Sequence, residues 1–152
     1  MVEQIQRAPA EVRYGDELAR LREADNDPRP SGWRLSPRGV RRFILGDKAL
    51  DVSQKFFGDD PLVDRCIVSL MGHQGLMLVG EPGTAKSMLS ELLAAAIGGA
   101  STLVVQGSAG VLEDHLRYGG NYARLLAEGP SERATGPSPL LTAMREGRIA
   151  RN

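Results

Sequence analysis

One short stretch, Gly75-Leu-Met-Leu-Val79, limits the possible folds of this chain more than its bulk composition does, because a glycine loop and then a helical pattern succeed it without a gap. Four apolar residues in succession are the pattern of a strand covered on both faces, as in a parallel sheet. The glycine-bearing loop is Gly80–Ala85. Lys86–Ile97 then places Leu89, Leu92, Leu93, Ala96 and Ile97 at helical spacing, and Gly98-Gly99 closes the helix. Thr102–Gln106 is a second apolar run. Strand, loop, helix and strand fit within about 30 residues, the length of one βαβ unit. The expectation is an α/β domain, a parallel sheet with flanking helices.

The loop itself carries chemistry. Gly80-Glu81-Pro82-Gly83-Thr84-Ala85-Lys86-Ser87 follows the phosphate-cradling pattern G-x-x-x-x-G-K-[ST], with Ala85 where the second glycine is usual. Gly80 and Gly83 remove side chains from a backbone that must wrap an anion closely. Loop amides then point inward as a nest. The following helix, entered through Lys86, Ser87 and Met88, adds its unpaired N–H groups and the positive end of its dipole. Lys86 would reach the β- and γ-phosphates, and Ser87 would offer its hydroxyl to Mg²⁺. Alanine at 85 is compatible with this if that residue has right-handed helical geometry. Glu81 is expected to be exposed and to act through its backbone only. ATP with Mg²⁺ is the expected ligand, and no nearby carboxylate stands out as a catalytic base.

Bulk properties exclude several classes. The 152 residues carry 19 Lys+Arg and 19 Asp+Glu, so no global field draws the chain to nucleic acid or an acidic membrane. One cysteine, Cys66, supports neither a disulfide framework nor a cysteine-rich zinc site, and its place on an apolar helical face reads as core packing. His73 and His115 have no metal-ligand companions at tight spacing. No apolar run is long enough to span a bilayer, and the N-terminus has no apolar signal region. A cytoplasmic protein is expected.

Upstream, Glu11–Ala24 reads as a helix with Val12, Leu18 and Leu21 on one side, followed by a Pro/Gly linker at Asp27–Gly32. Ser36-Pro37 opens a further helix that buries Val40, Phe43 and Ile44 and ends at Gly46. Arg38, Arg41 and Arg42 on that helix read as a solvated face or a partner contact. Asp60-Pro61 starts a helix with Leu62, Val63, Cys66, Ile67, Leu70 and Met71 at its apolar positions, stopped by Gly72. Leu112–Leu126 is expected to be helical with an interruption at Gly119-Gly120. Gly129–Pro139 reads as a loop, Pro139–Glu146 as a short helix, and Arg148–Arg151 as the start of a strand.

The loop residues resemble the MoxR group of AAA+ ATPases, which favours the G-x-P-G-x-A-K-[ST] version with alanine included. The resemblance runs from about Gln54 to the C-terminus. It implies a P-loop NTPase fold of AAA+ type, with residues 36–152 as the N-terminal part of the ATPase domain and 1–35 as a charged flanking segment and linker. Phe57 and Gly58, in Phe57-Gly58-Asp59-Asp60, are similar to the segment that lies beside adenine in such proteins. Gly136–Arg148 resembles the approach to the Walker B strand. The family's Walker B pair, sensor and arginine fingers would fall beyond Asn152, so the chain is expected to be the first part of a longer ATPase with an incomplete sheet. In the family's sheet the first strand, here Leu76–Val79, lies between strands that come later, and its backbone groups would lack those partners. A homo-oligomeric ring, client proteins and von Willebrand factor A domain partners are also implied by the resemblance. A non-enzymatic nucleotide-responsive module and a small P-loop metabolite kinase remain open alternatives.

Overall fold

The computed structural model describes residues 7–72, 74–105, 118–120 and 135–151. His73, His115 and the Leu112–Arg117 and Asn121–Leu126 parts of the expected helix lie outside the described residues. The chain divides into two compact units, 1–101 and 102–152.

The first unit is helical. Helices α1 (Ala10–Arg13) and α2 (Gly15–Ala24) replace the single helix expected over 11–24. The break falls at Tyr14, just before Gly15. Leu18 and Leu21 are buried as expected, whereas Val12 is exposed, because the break turns α1 away from the α2 stripe.

Helix α3 (Pro37–Leu45) starts as the sequence predicts. The Ser36 hydroxyl accepts from the Gly39 amide at 3.0 Å, and proline occupies the first turn. Val40, Phe43 and Ile44 are fully buried. Each large apolar side chain sealed in this way contributes roughly 1.5–3 kcal/mol. A second lock holds the cap itself. The Asp25 carboxylate accepts from the Ser36 amide and hydroxyl, both at 2.6 Å. A Cβ on Gly39 would stand 2.8 Å from the Asp25 Oδ2, so only glycine fits against this carboxylate. Arg38, Arg41 and Arg42 each face an aspartate, Asp27, Asp64 and Asp47 respectively, so the basic cluster is locally neutralised.

Helix α4 (Asp60–Met71) carries Pro61 in its first turn and buries Val63, Cys66 and Ile67. Burial pushes the Cys66 thiol above its usual range, against a smaller downward pull from the Arg65 charge. Helix α5 (Lys86–Gly98) buries Leu89, Leu92, Leu93 and the Ala94–Ala96 run. Helix α3 packs on both α4 and α5, and α1 packs on α5, which is why α5 is apolar nearly all round.

Two polar clips tie the N-terminal helices to this core. The Glu11 carboxylate of α1 accepts from the amide and hydroxyl of Ser101, just past α5. The Lys55 ammonium is only 2% exposed; it pairs with Glu17 of α2, donates to the Phe43 and Ser53 carbonyls at 2.9 Å, and lies over the Tyr14 and Phe43 rings. Burial lowers the Lys55 pKa below that of an ordinary lysine, while the hydrogen bond and charge of Glu17 pull it back up.

The expected two-faced burial of Leu76–Val79 is not what the structure shows. Met77 and Val79 are 85% and 86% exposed, and no ladder engages this run among the described residues. A strand is buried by its neighbours, and none stands beside this one among the described residues.

In the second unit, Val105 N–H donates to the Arg151 carbonyl at 2.7 Å and Arg151 N–H to the Leu103 carbonyl at 2.8 Å. Together they form one parallel bridge between the two segments, each expected to be a strand. Strands β1 (Tyr118–Gly120) and β2 (Thr135–Pro137) pair antiparallel, with Gly119 opposite Gly136. The end of the expected 129–139 loop is therefore a strand. The parallel sheet is represented among the described residues by that single bridge. Helix α6 (Pro139–Glu146) covers the expected range and stops at Gly147; its start is capped by Ser138, whose side chain accepts from the Leu141 amide.

Candidate phosphate-binding site

The loop between Val79 and α5 folds as one tight turn around a lysine. Lys86 Nζ donates to the Gly80 carbonyl at 2.8 Å, to the Glu81 carbonyl, and to Thr84 Oγ1 at 2.9 Å. The Thr84 hydroxyl in turn donates to the Glu81 carbonyl at 2.8 Å. Gly80, Glu81, Thr84 and Lys86 are thus brought together, with the ammonium folded back over the turn. Pro82 and Gly83 form its tip, and Gly83 has φ +83°. That value lies where a side chain is strained and glycine is not. Glu81 is exposed, as expected, and its backbone carbonyl accepts from Thr84 and Lys86.

Ala85 departs from expectation. Its φ and ψ are 59° and 21°, a left-handed conformation at the N-cap of α5. The right-handed geometry expected for an alanine here is not adopted, because the chain must reverse sharply between the Gly83 tip and the helix axis. A non-glycine residue in this region costs roughly 1–2 kcal/mol. The local rule is broken at the point where the loop meets its helix, and strain of this kind gathers at functional sites.

Electrostatics at the helix start favour an anion. No side chain of the capping residue bonds the first amides of α5, and no acidic residue lies in its first turn. Lys86 occupies that turn, where a cation opposes the helix dipole. An arriving anion would offset the repulsion between the cation and the positive end of the dipole. Ser87 and Met88 come next in the same turn, with Ser87 exposed. Among the described residues no cluster of three or more His, Cys, Asp or Glu is placed to hold a metal.

Phe57 is 77% exposed on the segment leading into α4, and Gly58 lies against the Phe56 ring. These two residues stand apart in sequence from the turn that Lys86 organises. The sequence did not signal the Thr84–Lys86 contact. Its only trace was a hydroxyl residue two positions before the lysine.

No helix among the described residues is long and apolar enough to cross a membrane. The chain is 53% identical over 147 residues to the uncharacterized protein YehL of Escherichia coli (strain K12), a match covering 97% of this chain and 41% of that relative. The chain thus spans about two fifths of the length of this curated relative. No solved structure matches it. The family described as AAA domain (dynein-related subfamily) matches residues 75–151, just over half of the chain, beginning immediately before the apolar run and the lysine-centred turn. On that match the chain belongs to the AAA domain family, dynein-related subfamily, and carries the P-loop NTPase fold of an AAA+ ATPase.

Proposed function

We propose that this chain binds Mg²⁺–ATP at Gly80–Ser87 as part of an AAA+ ATPase of MoxR type that couples ATP hydrolysis to the remodelling of client proteins. The carrying observation is the Lys86 ammonium, held over the turn by Gly80, Glu81 and Thr84 at the start of α5. In this reading the loop amides and the helix start take the phosphates, Lys86 neutralises their charge, and Ser87 bonds the metal. Bound Mg²⁺ supplies Lewis-acid stabilisation of the phosphoryl oxygens. Phe57 and Gly58 flank the adenine.

The MoxR assignment rests on the alanine-bearing form of the loop. Residues 36–152 form the first part of the ATPase domain in this reading, and 1–35 flank it. The parallel bridge between Val104 and Arg151 supports pairing of the second and third strands of an AAA+ sheet. Leu76–Val79 would be the first strand, taking its partners from strands outside those described. Assembly into a homo-oligomeric ring, and partners with von Willebrand factor A domains, are implied by the same resemblance.

The test is a titration of ATP and Mg²⁺ into wild-type protein and Lys86→Ala. Wild type should bind and the variant should lose binding at least tenfold, with an unchanged circular dichroism spectrum. Equal binding by the two would exclude the loop as the phosphate site. Phosphate release to water, measured on the full-length protein, then separates an ATPase from a module that only binds nucleotide.

A further inference from the structure

A lysine ammonium has three N–H donors and no more. In Lys86 all three are engaged, by the Gly80 carbonyl at 2.8 Å, the Glu81 carbonyl and Thr84 Oγ1 at 2.9 Å. A phosphate oxygen needs one of them. Two of the acceptors are backbone carbonyls fixed by the path of the turn. The third is a hydroxyl on an exposed side chain that turns about one bond.

We propose that Thr84 acts as an internal substitute for a phosphate oxygen, holding the Lys86 ammonium in the unliganded loop and releasing it when a polyphosphate binds. This rests on the reading of Gly80–Ser87 as the triphosphate cradle. The hydroxyl proton of Thr84 is committed to the Glu81 carbonyl at 2.8 Å, so Oγ1 offers Lys86 a lone pair. A neutral hydroxyl is a weaker partner for an ammonium than a charged phosphate oxygen, so the exchange runs toward the ligand. The Glu81 bond need not break, because the ammonium leaves and the hydroxyl proton stays. Gly80 leaves the approach open: a Cβ there would stand 3.5 Å from Thr84 Oγ1 and 3.8 Å from Lys86 Nζ, on the same face.

Thr84 is therefore a positioning residue. It keeps the cation aimed at the turn in the absence of ligand, and it costs affinity because its bond to Lys86 must be given up. Thr84→Val removes the hydroxyl at nearly constant shape, and Thr84→Ser keeps it. Two readouts on the full-length protein test the proposal. Without nucleotide, the rate at which a water-soluble active ester acylates Lys86, followed by peptide mass spectrometry, should rise several-fold in Thr84→Val. It should return to the wild-type rate in Thr84→Ser. With ligand, Thr84→Val should bind both ATP and inorganic tripolyphosphate about 3- to 10-fold more tightly, less than a buried hydrogen bond to a charged group would give because water reaches this exposed ammonium.

An unchanged acylation rate in Thr84→Val, or ATP binding no tighter than wild type, would overturn the proposal. Should the valine variant fail to fold, Thr84→Ala makes the same deletion with a smaller side chain. Failure of the wild type to bind either polyphosphate would count against the cradle reading instead, and the acylation rates would still report on the contact.

Discussion

The Glu11 carboxylate takes two hydrogen bonds from Ser101, at 3.0 Å from its amide and 2.6 Å from its hydroxyl. Ninety positions separate the pair, so one short helix near the N-terminus fastens the exit of the helix that begins at the phosphate loop. Ser101 is buried, and hydrogen bonds to a charged group in such a place are worth more than surface ones. Glu11→Ala should lower stability by about 2 kcal/mol, read from the urea midpoint at unchanged slope. A shift within error would mean that the clip contributes nothing.

At Ala85 the prediction has the opposite sign. Glycine is indifferent to the left-handed conformation seen there, and alanine is not. Ala85→Gly should raise stability by about 0.5–1 kcal/mol, after the entropy that glycine costs is set against the relieved strain. Destabilisation in a urea melt would show that the loop is not left-handed at this residue.

The Glu17–Lys55 pair should be asymmetric. Lys55 is almost wholly buried, whereas Glu17 keeps some contact with water and has the Ser53 hydroxyl as a second donor. Glu17→Gln removes the counter-charge from a buried cation, which keeps only neutral acceptors and the two rings. A cost of about 2–3 kcal/mol is expected, in the range for losing a hydrogen bond to a charged group. The double change Glu17→Leu with Lys55→Met should cost less than Glu17→Gln alone, since it leaves no charge uncompensated. Thermal melts that rank the double variant below Glu17→Gln would contradict this.

Cys66 offers a chemical check on the core. Its thiol is buried and its pKa is raised, so little thiolate exists at neutral pH. Reaction with a disulfide reagent should be slow in the native protein and fast in urea. Rapid native labelling would place Cys66 at the surface.

Much of this was legible in the sequence, and the remainder has a common cause. Ser36-Pro37, Gly46 and Gly147 mark helix ends through local chemistry, and the helices begin and end there. The leucines of α5 report their buried face through spacing alone. The loop stood out because the phosphate-cradling pattern fixes particular residues within eight positions. Contacts between distant residues left no such mark: Glu11 with Ser101, Glu17 with Lys55, and Tyr118–Gly120 with Thr135–Pro137. The exposure of Met77 and Val79 has the same root, since four apolar residues state a preference for neighbours without supplying them. At Ala85 the local rule pointed the wrong way: alanine favours right-handed backbone, and the turn overruled it. Gly15, beside the break at Tyr14, is a trace of that break which the sequence does carry.

The way α1 and α3 pack on α5 bears on how this gene should be cut. The family match begins at residue 75, and a fragment started there would lose both of those helices and leave Leu92, Leu93 and the alanine run without their cover. Such a fragment would keep all eight loop residues and yet present a bare greasy rod to water. The smallest soluble piece that retains the loop should therefore start ahead of Ala10, well upstream of the boundary that similarity alone would suggest.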